Sequence, residues 1–260
     1  MNKRFFSFGC SFTKWCWPTW NDYIGINFDA YINKGSSGAD NKNILYNLLQ
    51  VDKEYKLNEN DFVIVMFSSF NRMSYVNDTY HIKNIGDIID HNIKEHPMGK
   101  TYNFETAIYD SCIAIQSFKS ILESKNIKYI FLQSTEHDFN VSDYQLGKKK
   151  VKGDILDIYQ DTLDLFKYPP LETWCYDNYD FEREKVFWID KNRKDGHPTM
   201  KHHLNFVKEF LPQHITDKSN DLYNIHKKIF TNESQDIQGD NYEILNKKYF
   251  KENNVIYRPM

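Results

Sequence analysis

Residues 61–67 read Asp-Phe-Val-Ile-Val-Met-Phe, an apolar run that polar residues bound on both sides. A strand buried on both faces of a parallel sheet has this pattern, because a strand with one solvated face alternates apolar and polar residues instead. Other short apolar runs lie at 4–8, 29–32, 127–132 and 186–189. Longer helical patterns separate most of these runs, and that alternation predicts an α/β fold with a parallel, roughly five-stranded sheet.

The helical patterns between the strands have apolar residues at the spacing of one helix face. They lie at 41–49, 104–124, 154–166 and 200–211. The segment 68–100 shows little periodicity, and 167–184, which contains Pro169-Pro170, is expected to be a loop.

The composition changes beyond Pro212, where Asn, Lys and Asp dominate and only a thin apolar stripe remains. We expect one or two helices there, docked on the domain or used for association. No evident linker precedes them. The predicted organisation is therefore one domain at 1–212 and a helical C-terminal extension at 213–260.

The composition and charge exclude several classes of protein. The 260 residues carry 33 Lys and Arg against 36 Asp and Glu, a net charge of −3 that predicts no nucleic-acid partner. A mean hydropathy of −0.69, without an apolar run of about 18 residues, predicts no transmembrane helix and no membrane partner. The N-terminal apolar run is too short for a signal peptide, and the four cysteines lack metal-site spacing. We therefore expect a cytoplasmic protein with reduced thiols.

Segments of polar and glycine residues come after the predicted strands at four places. Their sequences are Gly9-Cys10-Ser11, Asn33-x-Gly35-x-x-Gly38, Ser69-Phe70-Asn71-Arg72 and Asp195-Gly196-His197-Pro198. Each alone would pass as a turn or a helix cap. Ligands of open parallel sheets bind outside the carboxyl ends of the strands, so we expect the four segments at one rim. Together they supply a hydroxyl nucleophile, an imidazole base, a carboxylate and oxyanion donors, which are the groups that acyl transfer needs.

These four blocks resemble those of the SGNH/GDSL hydrolase superfamily. The first and second blocks are similar to 9–12 and 33–38, with Cys10 where the family's Asp stands. Asn71 matches the amide of the third block without its flanking Gly and Asp. Residues 195–198 resemble the last block, one residue shorter than its commonest form. The resemblance covers about 1–212 and implies a three-layer, flavodoxin-like sandwich.

The resemblance also implies a mechanism. Ser11 would be the nucleophile, His197 the base and Asp195 the carboxylate that orients the imidazole. The backbone N–H groups of Ser11 and Gly38, with the side-chain amide of Asn71, would form the oxyanion hole.

The residues leave some alternatives open at this site. Asp195 and His197 are two apart, so their side chains meet only if the chain bends sharply at Gly196, and Asp190 is an alternative orienting carboxylate. Cys10 is an alternative nucleophile. An α/β-hydrolase is a rival fold, but the first block lacks the final glycine of a G-x-S-x-G elbow.

Aromatic and basic residues near the blocks are candidates for substrate binding. Trp15, Trp17 and Trp20 follow Ser11 closely; they pack in the core, or one indole floors the substrate site. The candidates for substrate binding are Trp15, Trp17 and Arg72. No cofactor is expected, and no metal, since His202 and His203 are adjacent and cannot share a helix face.

Two functions from different classes remain. The first is a serine esterase, such as a carbohydrate O-deacetylase, acting on a small-molecule or carbohydrate ester. The second is a catalytically silent domain of the same fold, used for carbohydrate binding or assembly. The altered third block and the shortened last block favour the second. The joint presence of a serine, a histidine, an aspartate and the oxyanion-hole residues favours the first. The oligomeric state and the role of the extension stay open.

Overall fold

The computed structural model describes residues 3–70, 72–76, 82–87, 104–135, 154–180, 197–232 and 239–259. Five strands form the main sheet in the spatial order β6-β3-β1-β2-β7, and all four neighbouring pairs are parallel. They are β1 (Arg4–Gly9), β2 (Ala30–Gly35), β3 (Phe62–Phe67), β6 (Lys128–Gln133) and β7 (Ile256–Pro259). A separate antiparallel hairpin joins β4 (Arg72–Val76) to β5 (Ile82–Asp87).

Eight α-helices lie in the described part of the chain. They are α1 (Trp20–Gly25), α2 (Asn41–Tyr55), α3 (Phe104–Ser124), α4 (Asp154–Leu163), α5 (Leu171–Asn178), α6 (Met200–Phe210), α7 (Asp217–Asn232) and α8 (Gly239–Glu252). A 3-10 turn, Pro212–His214, lies between α6 and α7. None of the described helices is both long and apolar enough to cross a membrane.

The sheet is the middle of three layers, with an apolar core on each face. In β1, Phe5 points into a core that contains Trp20 of α1 and Phe206 of α6. Its neighbours on the strand, Phe6 and Phe8, point to the opposite side, into a core with residues of α2 and α3. Successive residues of a strand face opposite sides, so a strand covered on both faces must be apolar throughout. The predicted three-layer α/β sandwich is confirmed.

Four of the predicted strands lie within one to three residues of their observed positions, and the helix predicted at 104–124 matches α3. The strand predicted at 186–189 lies outside the described residues. The fifth strand of the sheet is instead β7, which pairs with β2 from Ala30 to Asn33. Helices α7 and α8 confirm the helices expected after 212.

The C-terminal segment shares its core with the rest of the chain. Leu222 of α7 and Phe250 of α8 lie in the same apolar cluster as Phe5. The segment is therefore docked on the sheet, whereas the domain boundary after 212 stays a prediction.

Several elements lie where the sequence predicted none, among them α1, α5 and the β4–β5 hairpin. Helix α5 falls in the expected loop, where it begins after Pro170. It buries Leu171 together with Trp174 and Cys175, which lie three and four residues further along the helix. That spacing is a helical signal, which the adjacent prolines outweighed in the prediction. The β4–β5 hairpin lies in the segment with little periodicity.

Candidate active site

The first motif forms a tight turn at the end of β1. The backbone N–H groups of Thr13 and Lys14 donate to Cys10 O at 3.0 and 3.3 Å, so one helical turn follows the strand. A side chain at Gly9 would overlap Thr13 Oγ1 and lie 2.7 Å from Met66 O, so only glycine fits there. The turn places Ser11 at the carboxyl end of the central strand.

The second motif packs directly against that turn. Ser36 N–H donates to Gly9 O at 2.9 Å, and Gly35 N–H donates to Asn33 Oδ1 at 2.8 Å. A Cβ at Gly35 would lie 2.8 Å from Lys14 Cβ and 2.9 Å from Lys14 N. Close backbone approach between the two loops therefore requires glycine at 35.

Polar side chains at the start of α2 tie the second motif to β3 and β4. Gly38 has a φ of +71°, a left-handed conformation that favours glycine. Asp40 caps α2 and accepts a hydrogen bond from Ser74 N–H at 2.6 Å. Asn41 accepts from Ser68 N–H at 2.9 Å and donates to Ser68 O at 3.0 Å. The ends of β2 and β3 are thereby fixed at one rim, as predicted. The sequence analysis did not single out these two side chains, although Asp directly before a helix is a cap signal.

Ser11 and His197 meet at this rim. His197 Nε2 lies 2.8 Å from Ser11 Oγ, although the two residues are 186 apart in the chain. Ser11 is 3% exposed and the imidazole is half-buried. At this distance the neutral imidazole can accept the serine proton, which activates the hydroxyl as a nucleophile.

Aromatic rings hold the imidazole of His197. Trp15 stacks on it with ring centroids 3.6 Å apart and 20° between the ring planes. Phe12 contacts the same ring at 5.4 Å and 67°. Both aromatic residues belong to the segment that carries Ser11, so one turn supplies the hydroxyl and two walls of the imidazole site.

Trp17 and Trp20, which follow Trp15 in the same segment, are buried. Trp17 is buried, and its Nε1–H donates to Pro198 O at 3.0 Å, which anchors the residue after His197 to the first turn. Trp20 is fully buried in the core. The core-packing interpretation fits these two residues, and substrate binding by Trp15 and Trp17 stays a prediction.

The two histidines that follow His197 along the chain, His202 and His203, are both fully buried. Thr199 caps α6 and its N–H donates to His202 Nδ1 at 3.1 Å. Burial, with smaller effects of the neighbouring His202 and His197, holds the pKa of His203 well below its usual range, so His203 is neutral. Among the described residues, no group of three or more His, Cys, Asp or Glu side chains could hold a metal ion.

Cys10 is fully buried within the apolar core, whereas the Ser11 hydroxyl contacts an imidazole. A thiol nucleophile must be reached by its substrate, and it needs a setting that favours the thiolate. The surroundings of Cys10 therefore favour Ser11 of the two.

Asn71, Asp195 and the alternative carboxylate Asp190 lie outside the described residues. Arg72 begins β4, and its Nη1 is buried without a hydrogen-bond partner in the described part of the chain. The roles of Gly38 and Arg72 stay predictions.

Two further hydroxyls, which the sequence analysis missed, lie at the same edge of the sheet. Ser68 and Ser134 follow the paired ends of β3 and β6, where Ser134 N–H donates to Phe67 O at 3.0 Å. Both side chains are fully buried, and neither Oγ has a hydrogen-bond partner among the residues described. A serine within three residues of the end of a predicted strand was the available signal, and Ser11 shares it.

No family model matches the chain. No curated protein matches it either. Solved structures that are similar include an acetylxylan esterase from Geobacillus stearothermophilus, at 14% identity and a TM-score of 0.44, covering 82% of this chain and 94% of that one. A putative acylhydrolase from Bacteroides fragilis is 17% identical with a TM-score of 0.37, over 85% and 88% of the two chains. A GDSL-like lipase from Bacteroides thetaiotaomicron is 17% identical with a TM-score of 0.38, over 82% and 86%.

Proposed function

We propose that the protein is a serine hydrolase that cleaves acyl esters, with Ser11 as its nucleophile. The observation that carries this proposal is the 2.8 Å contact of Ser11 Oγ with His197 Nε2 at the carboxyl end of the central strand. A hydroxyl on a tight turn beside an imidazole is the minimal arrangement for acyl transfer.

The proposed reaction has two halves. Ser11 Oγ attacks the ester carbonyl while His197 takes its proton; the tetrahedral intermediate then expels the alcohol, which receives that proton from His197. Water, deprotonated by the same imidazole, then attacks the acyl-serine, and the bond to Ser11 Oγ breaks as His197 returns the proton to that oxygen, which releases the carboxylic acid. Asp195 would orient the imidazole, and the N–H groups of Ser11 and Gly38 with the Asn71 amide would stabilise the oxyanion.

The proposed substrate is a small-molecule or carbohydrate ester, with a carbohydrate O-acetyl group as one example. Ser11 is only 3% exposed, which favours a small acyl group because little room is open around the nucleophile. One of the similar structures is an acetylxylan esterase.

A catalytically silent domain for carbohydrate binding or assembly is the second candidate. The low exposure of Ser11 also favours this function, as do Cys10 in place of the family's Asp and the shortened last block. The two candidates differ in one measurable property, the turnover of an activated ester.

Hydrolysis of p-nitrophenyl acetate by the wild type, Ser11→Ala and His197→Ala tests the proposal. We expect turnover by the wild type and a loss of at least about 1,000-fold in both variants, since members of such a pair act as a unit. Ser120→Ala, on the exposed face of α3, is the matched control and should keep full activity. Equal background rates in the wild type and Ser11→Ala would leave only the silent domain.

A further inference from the structure

A groove runs between α6 and α7, the two helices that follow His197 along the chain. Its cavity measures about 590 Å³. Four residues of each helix line it, namely Lys201, Leu204, Asn205 and Lys208 on α6 and Asn220, Tyr223, Asn224 and Lys227 on α7. Both sets follow the spacing of one helix face over two turns, so the groove is on the order of 10 Å long.

The groove is cationic in a chain whose net charge is −3. All the lining residues lie in the described part of the chain. They include the ammonium groups of Lys201, Lys208 and Lys227 and no carboxylate. The carboxylate of α6, Glu209, is directed away from the groove. Glu209 accepts a hydrogen bond from Trp174 Nε1–H at 3.2 Å, on the side of α5.

The remaining lining adds two other chemical features. Leu204 is buried and Tyr223 is half-buried, so the floor is partly apolar. Three side-chain amides, those of Asn205, Asn220 and Asn224, line the walls, and each can both donate and accept hydrogen bonds. An apolar floor, amide walls and a cationic rim match a sugar ring, which has an apolar C–H face, several hydroxyls and, in acidic sugars, an anionic group.

The groove is connected to the segment that carries His197. Asn205 Nδ2–H donates to Tyr179 Oη at 2.8 Å, and Lys201 Nζ lies 5.1 Å from the centre of the Tyr179 ring. The same ring contacts His202, whose centroid is 4.6 Å away. Helix α6 therefore presents the groove on one side and begins three residues after His197.

We propose that this groove binds an acidic saccharide, one that carries carboxylate, sulfate or phosphate groups. Its volume falls within the range of small-ligand sites, roughly 300–1,000 Å³. Binding there is separate from ester cleavage and does not require Ser11 to act as a nucleophile.

Titration calorimetry of the full chain at about 0.15 M salt tests the proposal. The probes are a galacturonic acid tetramer, a sulfated tetrasaccharide, neutral xylotetraose and inorganic phosphate. We expect at least one acidic tetramer to bind, the neutral one to bind far more weakly, and Kd to rise with salt. Equal affinity for phosphate and the acidic tetramer would overturn the saccharide assignment, and no binding of either acidic tetramer would overturn the site.

Paired charge variants locate the binding. Lys208→Gln/Lys227→Gln removes two lining charges and should weaken the acidic tetramer about fivefold or more. Lys218→Gln/Lys228→Gln removes two exposed charges of α7 that do not line the groove, and should leave Kd unchanged. Equal losses in both pairs would overturn the proposal. Ser11→Ala should bind as tightly as the wild type, which separates this result from the failure of the proposed hydrolase activity.

Discussion

His197 is the residue on which the candidate site most depends. Ser11 Oγ lies 2.8 Å from its Nε2, and the indole of Trp15 covers one face of its ring at 3.6 Å. The imidazole gains a positive charge when it accepts the serine proton, and the negative face of an aromatic ring attracts a cation. Trp15 is therefore placed to orient the imidazole and to stabilise its charged form.

Replacing Trp15 tests this positioning role. We expect Trp15→Ala to lower kcat for p-nitrophenyl acetate about tenfold with a small change in KM, because a partly desolvated cation–π contact contributes roughly 1–2 kcal/mol. Trp15→Phe keeps an aromatic face and should recover part of the loss. A folded Trp15→Ala protein with unchanged kcat and raised KM would assign the indole to substrate binding instead.

The two contacting residues of the site could be predicted from sequence, but their surroundings could not. Ser11 and His197 were predicted from the four polar blocks taken together, since each block alone would pass as a turn or a helix cap. The stack of Trp15 on His197 and the paired hydrogen bonds of Asn41 with Ser68 join distant segments. Such contacts depend on the path of the backbone in three dimensions, which the spacing of residues within one segment does not determine.

At the scale of elements, the C-terminal segment differs most from expectation. Strand β7 has only four residues, at the edge of the sheet, and its side chains alternate between exposed and half-buried. A short, half-exposed edge strand has no continuous apolar run to mark it, and it ends in Pro259, which edge strands tolerate. Helix α7, by contrast, carries the thin apolar stripe that predicted a helix after 212.

His226 makes the packing of α7 on α8 sensitive to pH. Its Nε2–H donates to Asn246 Oδ1 at 3.0 Å, yet burial outweighs this bond and lowers the pKa of His226 to about 4 from 6.5. As the pH falls below 6.5, His226 becomes protonated in the unfolded chain but stays neutral in the folded chain until the pH nears 4. The free energy of unfolding therefore decreases between pH 6.5 and pH 4.

At pH 5 this difference should cost the wild type about 2 kcal/mol relative to pH 7 from His226 alone. His226→Gln can still donate to Asn246 but does not titrate, so its stability should fall less between the two pH values. Urea unfolding of both proteins at pH 7 and pH 5 measures the difference. Identical losses in the two proteins would contradict a buried neutral His226.

At the scale of the whole molecule, the fold brings separate motifs to one edge of the sheet. The order β6-β3-β1-β2-β7 puts β1 in the middle, so its carboxyl end lies between those of β2 and β3. The sequence predicted this convergence, because buried parallel strands have a simple apolar signature. It did not predict the cationic groove of α6 and α7, since side chains from two helices have to meet to form it.

The central claim is that Ser11 is a nucleophile activated by His197. Treatment with a fluorophosphonate, followed by intact-mass measurement and peptide mapping, tests it most directly, because such reagents form a stable adduct with an activated serine. We predict one adduct per chain, on Ser11, and none in Ser11→Ala or His197→Ala. An unmodified wild-type chain, or an adduct on another residue such as Cys10, would contradict the claim.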